Sequence, residues 1–312
     1  MNSTRYRSVF RQLMIAVVML AIACVLVLAP DAYLPMLARA FMFWWAVLFA
    51  LVALFAGVRK QWWWSIASVA SALLVLLQVR TPLMEPMSSG GSHGLRIAHM
   101  NVWQPNEDRV RAIAAAVATE ADLISVQEVS PEWALALQSA LANDYPYHHI
   151  VPRTNCYGIA LFSKKPFDSV RTITVAGAPF IEAMVNVEGE VVRVLAVHAT
   201  SPGSYAHFRR RNVQLNALAE WIRTGNIPTL VIGDLNTVHW DGAYERFCAR
   251  SGARPINSPF NITWPSVGPF ALIPLDHALV SGGLRPTALS SFEVNGSDHR
   301  GLLAEVRLAH AR

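Results

Sequence analysis

Apolar residues along the chain fall into two patterns: long uninterrupted runs in the first quarter, and short strand-length runs separated by polar turns afterwards. Stretches 12–30, 40–58 and 61–79 each hold 19 consecutive positions without Asp, Glu, Lys or Arg. That is close to the roughly 20 residues a helix needs to cross a bilayer. FMFWWAVLFALVALF is apolar all round, whereas a core helix of a soluble domain keeps a polar face. The pattern therefore predicts three transmembrane helices, at about 12–30, 40–58 and 61–79, within a membrane domain 1–80.

Residues 81–94 (TPLMEPMSSGGSHG) are rich in Pro, Ser and Gly and read as a short flexible linker. From 95 to 312 strand-like and helical runs alternate. Strands are expected at 95–101, 122–127, 147–151, 158–163, 168–175, 181–187, 191–198, 229–233, 275–281, 285–293 and 302–308. Helices are expected at about 106–119, 131–142 and 204–224, with a variable region at 241–272. So many strands with so few helices predict an α/β domain of two packed mixed β-sheets flanked by helices, a four-layer sandwich.

The net charge of +5 changes meaning once it is located. Residues 1–88 hold seven Lys or Arg against Asp31 and Glu85, and the remainder carries equal numbers of basic and acidic residues. The excess is thus topological: Arg5, Arg7 and Arg11 precede the first run, and Arg59 and Lys60 separate the second from the third. By the positive-inside rule these flanks lie in the cytoplasm, and three crossings leave residues 80–312 outside. Trp62, Trp63 and Trp64 read as an interfacial aromatic belt. A neutral catalytic half also removes the usual electrostatic argument for polynucleotide binding. Arg209, Arg210 and Arg211 form its one basic run, either a solvated helix face or an anion contact. Cys156 and Cys248 would lie outside the cytoplasm, where pairing is chemically allowed, and their spacing leaves it open.

Five apolar runs end in groups suited to phosphate-ester chemistry: Asn101 in RIAHMN, Glu128 in ISVQE, His198 in VLAVH, Asp234 and Asn236 in VIGDLN, and Asp298 and His299 in GSDH. Strand ends are where α/β sheets place their sites. Asn101 and Glu128 offer the hard oxygens that Mg²⁺ prefers. Asp234 and Asn236 are placed to orient a water and bond a phosphoryl oxygen; His299, with Asp276 to hold its tautomer, fits a base or charge-stabilising role; His198 fits a donor to developing charge.

Together these residues resemble the endonuclease/exonuclease/phosphatase superfamily, in seven blocks that keep the family's order over 95–308: MNVW at 100–103, QEVS at 127–130, YGIALFSKKP at 157–166, VHATSPG at 197–203, GDLNT at 233–237, DHALVS at 276–281 and SDHRG at 297–301. The resemblance implies Mg²⁺ or Mn²⁺ held by Asn101, Glu128 and Asp298. It also implies water activation by Asp234 jointly with His299, orientation of His299 by Asp276, and phosphate binding by Asn236 and His198. Trp264, in TWPS at 263–266, is a further candidate substrate contact on a lid or surface loop. Three apolar runs followed by this domain are similar to the membrane-anchored glycopeptide-resistance phosphatases of the superfamily.

The expected function is a multi-pass plasma-membrane hydrolase acting outside the cytoplasm on a phosphate ester or pyrophosphate carried by a lipid. Its partners would be the bilayer and that lipid, with no protein partner. A linker of this length reaches only ~20 Å, which keeps the domain near the membrane. The alternatives are an extracytoplasmic nuclease, which requires a steep salt dependence, and a non-catalytic membrane sensor, which has no need for so complete a set of competent residues.

Overall fold

A computed structural model describes residues 3–80, 82–88, 94–225, 227–268 and 270–309 of the chain. It divides into two units, Met1–Arg80 with His239–Gly242, and Thr81–Val238 with Ala243–Arg312.

The first unit holds α1 (Ser3–Leu28), α2 (Tyr33–Ala40), α3 (Met42–Val58) and α4 (Trp62–Leu76). Among the described residues only α1, over Tyr6–Leu28, is by itself long and apolar enough to cross a bilayer; α2 and α3 qualify only as a pair, bent by 62° at their junction. With 15 residues, α4 is roughly 22 Å long, short of the roughly 30 Å of hydrocarbon. The expectation of three full-length spans is therefore corrected to one span-length helix followed by shorter apolar ones. Hydropathy registers the absence of charge but not helix breaks, and here a break at Phe41 and a turn after Leu76 shorten the later helices. Ala23, Met42, Phe49 and Val75 form a small core, but only 17% of the apolar window of α1 is buried. Val17, Val25, Leu54 and Val58 point outward.

The second unit contains β1 (Leu95–Asn101), α5 (Arg109–Val117), β2 (Leu123–Gln127), α6 (Pro131–Leu141), β3 (Tyr147–Val151), β4 (Ile159–Ser163), β5 (Ser169–Val175), β6 (Ala178–Val187), β7 (Glu190–His198), α7 (Tyr205–Gly225), β8 (Thr229–Asp234), α8 (Gly242–Ser251), β9 (Arg254–Pro255), β10 (Asp276–Ser281), β11 (Leu284–Glu293) and β12 (Arg300–Leu308). They form two mixed six-stranded sheets, ordered β11-β12-β1-β2-β4-β3 and β5-β6-β7-β8-β10-β9. Helix α8 and strand β9 fall in the stretch 241–272 that the sequence pattern leaves irregular.

Strand alternation explains the layering. Ile97, Leu123, Val194, Ala196, Leu230, Ile232, Ala278 and Val280 point between the sheets and build the central core. Their neighbours Ala98, Met100, Ile124 and Val126 pack with Trp133 and Leu137 of α6, and Leu195, Val197, Val231 and Leu279 pack with Leu215 and Leu218 of α7.

Of the expected linker 81–94, residues 81 and 89–93 lie outside the described residues, as does the Arg5 side chain. The remainder lies along the sandwich: Glu85 N donates to Pro255 O at 3.0 Å and Ser88 N to Pro286 O at 2.7 Å. The buried Glu85 carboxylate pairs with Arg254 at 3.3 Å and with Arg285.

Candidate active site

The residue parity that builds the central core also builds the site. Continuing in steps of two, Ile97 leads to His99 and Asn101, Leu123 to Gln127, Ala196 to His198, Ile232 to Asp234, and Ala278 back to Asp276. These polar groups therefore emerge where the inter-sheet core ends. Ladder register then brings them together: His198 pairs with Asp234 across β7–β8, Asp276 with Asp234 across β8–β10, and Asn101 with Gln127 across β1–β2.

One cluster surrounds Asn101. Its Nδ2 donates to Glu128 Oε1 at 3.1 Å and to Asp234 Oδ2 at 3.3 Å, and its Oδ1 accepts from Trp103 N. The second Glu128 oxygen accepts from Gln104 N at 2.9 Å. Glu128 sits just beyond β2 with φ 64, and Asn236 just beyond β8 with φ 49. Non-glycine residues held in the left-handed region cost of order 1–3 kcal/mol and cluster at functional sites. For Glu128, which follows the site-facing Gln127 by one residue, the twist turns the side chain into the cluster instead of letting the strand's alternation carry it away. Asn236 Nδ2 bonds Asp234 Oδ2 at 3.1 Å and Ala199 O at 2.9 Å.

A second cluster surrounds Asp276, which is fully buried. Its two oxygens meet His99 Nε2 at 2.7 Å and His299 Nδ1 at 2.8 Å. Since an ionised carboxylate only accepts, both imidazoles donate to it. The other nitrogen of His299 lies 3.8 Å from Asp234 Oδ2, and His198 Nε2 lies 3.6 Å from the same oxygen.

Burial acts against charge throughout and is offset unevenly. Desolvation pushes the Asp234 carboxyl up to about 8, with Asp276 and Glu128 adding to the rise against the pull of His299. Burial also raises Asp276, but its two histidines outweigh that and hold it well below the ordinary range. Burial lowers His299, but Asp276 first, then Asp234 and Asp298, carry it up to about 10. His198 is driven down to about 3 by burial and the neighbouring His299 charge. It is therefore a neutral hydrogen-bonding group, not a cation.

Of the residues expected from the sequence, Asn101, Glu128, His198, Asp234, Asn236, Asp276 and His299 meet in these two clusters, and Asp298 and Trp264 adjoin them beside His299. Asp298 accepts from Trp264 Nε1 at 2.9 Å, and the Trp264 ring lies 6.4 Å from that of His299. Two residues that sequence reasoning passes over also take part, together with Arg211 of the basic run. His99 shares Asp276, and Gln127 spans the sheets, accepting from Asp234 N at 3.0 Å while donating to Val197 O. Arg211, fully buried, donates to Asn236 O at 3.1 Å. Parity was the available signal for the first two. Of the basic run, only Arg209 and Arg210 face solvent. Cys156 and Cys248 are free thiols.

The donor set fits a hard divalent cation. Glu128 and the buried Asp234 converge on one Asn101 amide, and burial with the neighbouring Asp276 and Glu128 charges raises Asp234 despite His299 3.8 Å away. Asp234, Asp276 and His299 also bring ligand atoms within 4.8 Å of one another. Asp276 is the poorer ligand of these, since both its oxygens are committed to imidazoles.

Residues 98–299 match the sequence model of the Endonuclease/Exonuclease/phosphatase family. No curated protein matches the chain. Among solved structures, similar folds are those of a humanised TDP2 from D. rerio (TM-score 0.57, 17% identity, covering 68% of this chain and 98% of that one), sphingomyelinase C from Streptomyces griseocarneus (0.54, 20%, 69% and 99%) and the human Nocturnin catalytic domain (0.56, 17%, 69% and 94%).

Proposed function

The chain belongs to the endonuclease/exonuclease/phosphatase family, and on that premise we propose that it is a membrane-anchored, metal-dependent phosphoesterase. Its substrate would be a phosphate ester or pyrophosphate borne by a lipid, hydrolysed on the extracytoplasmic side of the plasma membrane, as in the membrane phosphatases of the family. The observation that carries the lipid reading is the outward-facing apolar surface of α1, of whose apolar window only 17% is buried. It is supported by the neutral balance of residues 89–312, which offers polyanionic nucleic acid no net attraction.

In this reading Glu128, Asn101 and Asp298 hold Mg²⁺ or Mn²⁺, with Asp234 on the same side. The bound cation supplies charge neutralisation at the phosphoryl oxygens and acidifies water. Asp234 takes the proton of the attacking water, and Asn236 fixes the Asp234 carboxylate through its backbone N–H at 2.8 Å. His299, held by Asp276, presents Nε2 to the phosphoryl group as a fixed positive donor. Neutral His198 would bind a remaining oxygen, and the Asn236 amide would bind another in place of its bond to Asp234.

The test is phosphate release by the detergent-solubilised full chain from undecaprenyl pyrophosphate, from phospholipid and from duplex DNA, each with Mg²⁺, with EDTA, and with Glu128→Ala. Metal-dependent turnover of a lipid that the substitution abolishes is the expected result. Turnover of DNA alone would overturn the reading.

A further inference from the structure

From residue 255 to residue 275 the chain carries no Asp, Glu, Lys or Arg, 21 positions in a domain otherwise well supplied with charge. A charge-free segment of that length is ordinarily buried, and part of this one is not: Phe260 is 71% exposed, Val267 72% and Phe270 73%. Three large apolar side chains in open solvent on one uncharged segment make a patch of the kind that marks interaction sites.

The segment has a defined shape. Trp264 bridges Ile273 and Val267 bridges Phe270 in antiparallel fashion, with Ile273 N donating to Trp264 O at 2.7 Å and Val267 N to Phe270 O at 2.8 Å. Gly268, at φ 58, supplies the left-handed turn residue. The base of this hairpin is fastened to the site: Trp264 Nε1 bonds the Asp298 carboxylate at 2.9 Å, and Ser266 N bonds Asp298 O at 2.7 Å. The apolar tip is thus three residues along the strand from Trp264, whose ring lies beside His299.

We propose that the hairpin Trp264–Ile273 is a lipid-contacting element whose tip, Val267 and Phe270, enters the acyl region of a bilayer while its base delivers a lipid-borne phosphate to His299 and Asp298. This inference rests on the reading of the substrate as lipid-linked. Nucleic acid is the wrong occupant, because no cation on the hairpin meets a phosphate backbone. A second protein is also a poor fit. Two phenylalanines and a valine offer roughly 400–500 Å², where a stable interface needs about 800 Å² per partner. Insertion into lipid needs no such area, since each buried apolar side chain contributes by itself.

Two measurements on the full chain in phosphatidylcholine vesicles test this. The first uses a phospholipid with a diazirine at its acyl end, with crosslinks mapped by mass spectrometry. Label on Val267 or Phe270 is expected; label confined to residues 6–76 overturns the inference whatever the enzyme hydrolyses. The second compares undecaprenyl pyrophosphate in the vesicles with water-soluble isopentenyl pyrophosphate, for the wild type and for Val267→Asp combined with Phe270→Asp. The ratio of lipid to soluble turnover is expected to fall about tenfold in the variant, as the loss of two inserting side chains implies. An unchanged ratio overturns the inference. A labelled tip on a wild-type enzyme that splits only the soluble substrate would instead retain the lipid contact and refute the lipid-phosphatase reading.

Discussion

Asp276 stands directly opposite Asp234 in the β8–β10 ladder, so two buried carboxylates face each other across adjacent strands. Like charges so placed are destabilising. The imidazole of His299 relieves the opposition, reaching Asp276 at 2.8 Å with one nitrogen and Asp234 at 3.8 Å with the other. Asp276 is thereby held ionised, while Asp234 keeps its proton until something else compensates its charge. A bound divalent cation is the natural compensator.

The stability of the protein should follow from this division. His299 lies at about 10 against an ordinary 6.5, so its contribution is complete below the ordinary value and is lost as pH climbs towards the raised one. Asp234 lies at about 8 against an ordinary 3.8, so the fold favours its protonated form and loses stability as pH rises between those values. Above pH 6.5 both slopes run the same way, and in EDTA the urea midpoint is expected to fall from neutral to alkaline pH, whereas below it the depressed His198 gains stability as pH rises and opposes Asp234. Because the cation requires the Asp234 carboxylate, the increment from Mg²⁺ should grow between about pH 5 and 8. An increment that is flat with pH would rule out Asp234 as the linked group.

Asp276→Asn is expected to lower kcat by about 10²–10³-fold with little change in KM, because it removes the charge that holds His299 as a fixed donor without touching substrate. The alkaline limb of the pH–rate profile should move down by more than a unit. A variant with unchanged kcat would remove the dyad from the mechanism.

His99 acts through Asp276 and is a positioning residue. Glutamine places an amide N–H near where Nε2 sits, so His99→Gln should retain most of the activity. His99→Leu leaves one Asp276 oxygen without its donor, at a cost of about 1–3 kcal/mol in unfolding free energy, and should depress kcat more than it raises KM. Equal losses in the two variants would show that only packing matters there.

Gly233 has φ 150, and a Cβ built on it would lie 1.9 Å from Val197 O and 2.4 Å from Gln127 Nε2. Gly233→Ala should therefore spread β8 from its ladder neighbour β7 and displace the Gln127 side chain, with a loss of about 2–4 kcal/mol read from the urea midpoint.

How much of this was legible in the sequence depends on which physical signal carried it. The sandwich was, because alternating strands buried on both faces leave a strong periodic trace in runs such as LRIAHMN and EVVRVLAVH. The convergence of Asn101, Glu128, His198 and Asp234 was as well, since these stand at or just past strand ends within recognisable blocks. His99 and Gln127 were missed because a polar residue at the core-facing parity of an apolar run reads as an exception, although counting back by two from Asn101 reaches His99 and counting forward by two from Leu123 reaches Gln127. The helix lengths of the first unit were misread because absence of charge says nothing about where a helix bends, and the Phe41 break carries neither proline nor glycine. Helix α8 was hidden in a segment without a clean period, and the exposure of the charge-free hairpin is visible only once its neighbours are placed.

The shared parity of core and site gives the strands something like a reading frame. Ile97, His99 and Asn101 face inward together, while Ala98 and Met100 face the helices. A single-residue deletion within β1 would exchange the two sets, turning methionine and alanine towards Asp234 and the Asn101 amide towards the helices. Substitutions can tune such an enzyme one side chain at a time, but insertions and deletions in β1, β2, β8 or β10 are all-or-none. Length variation among relatives is accordingly expected outside these strands, in the connections that the frame does not constrain.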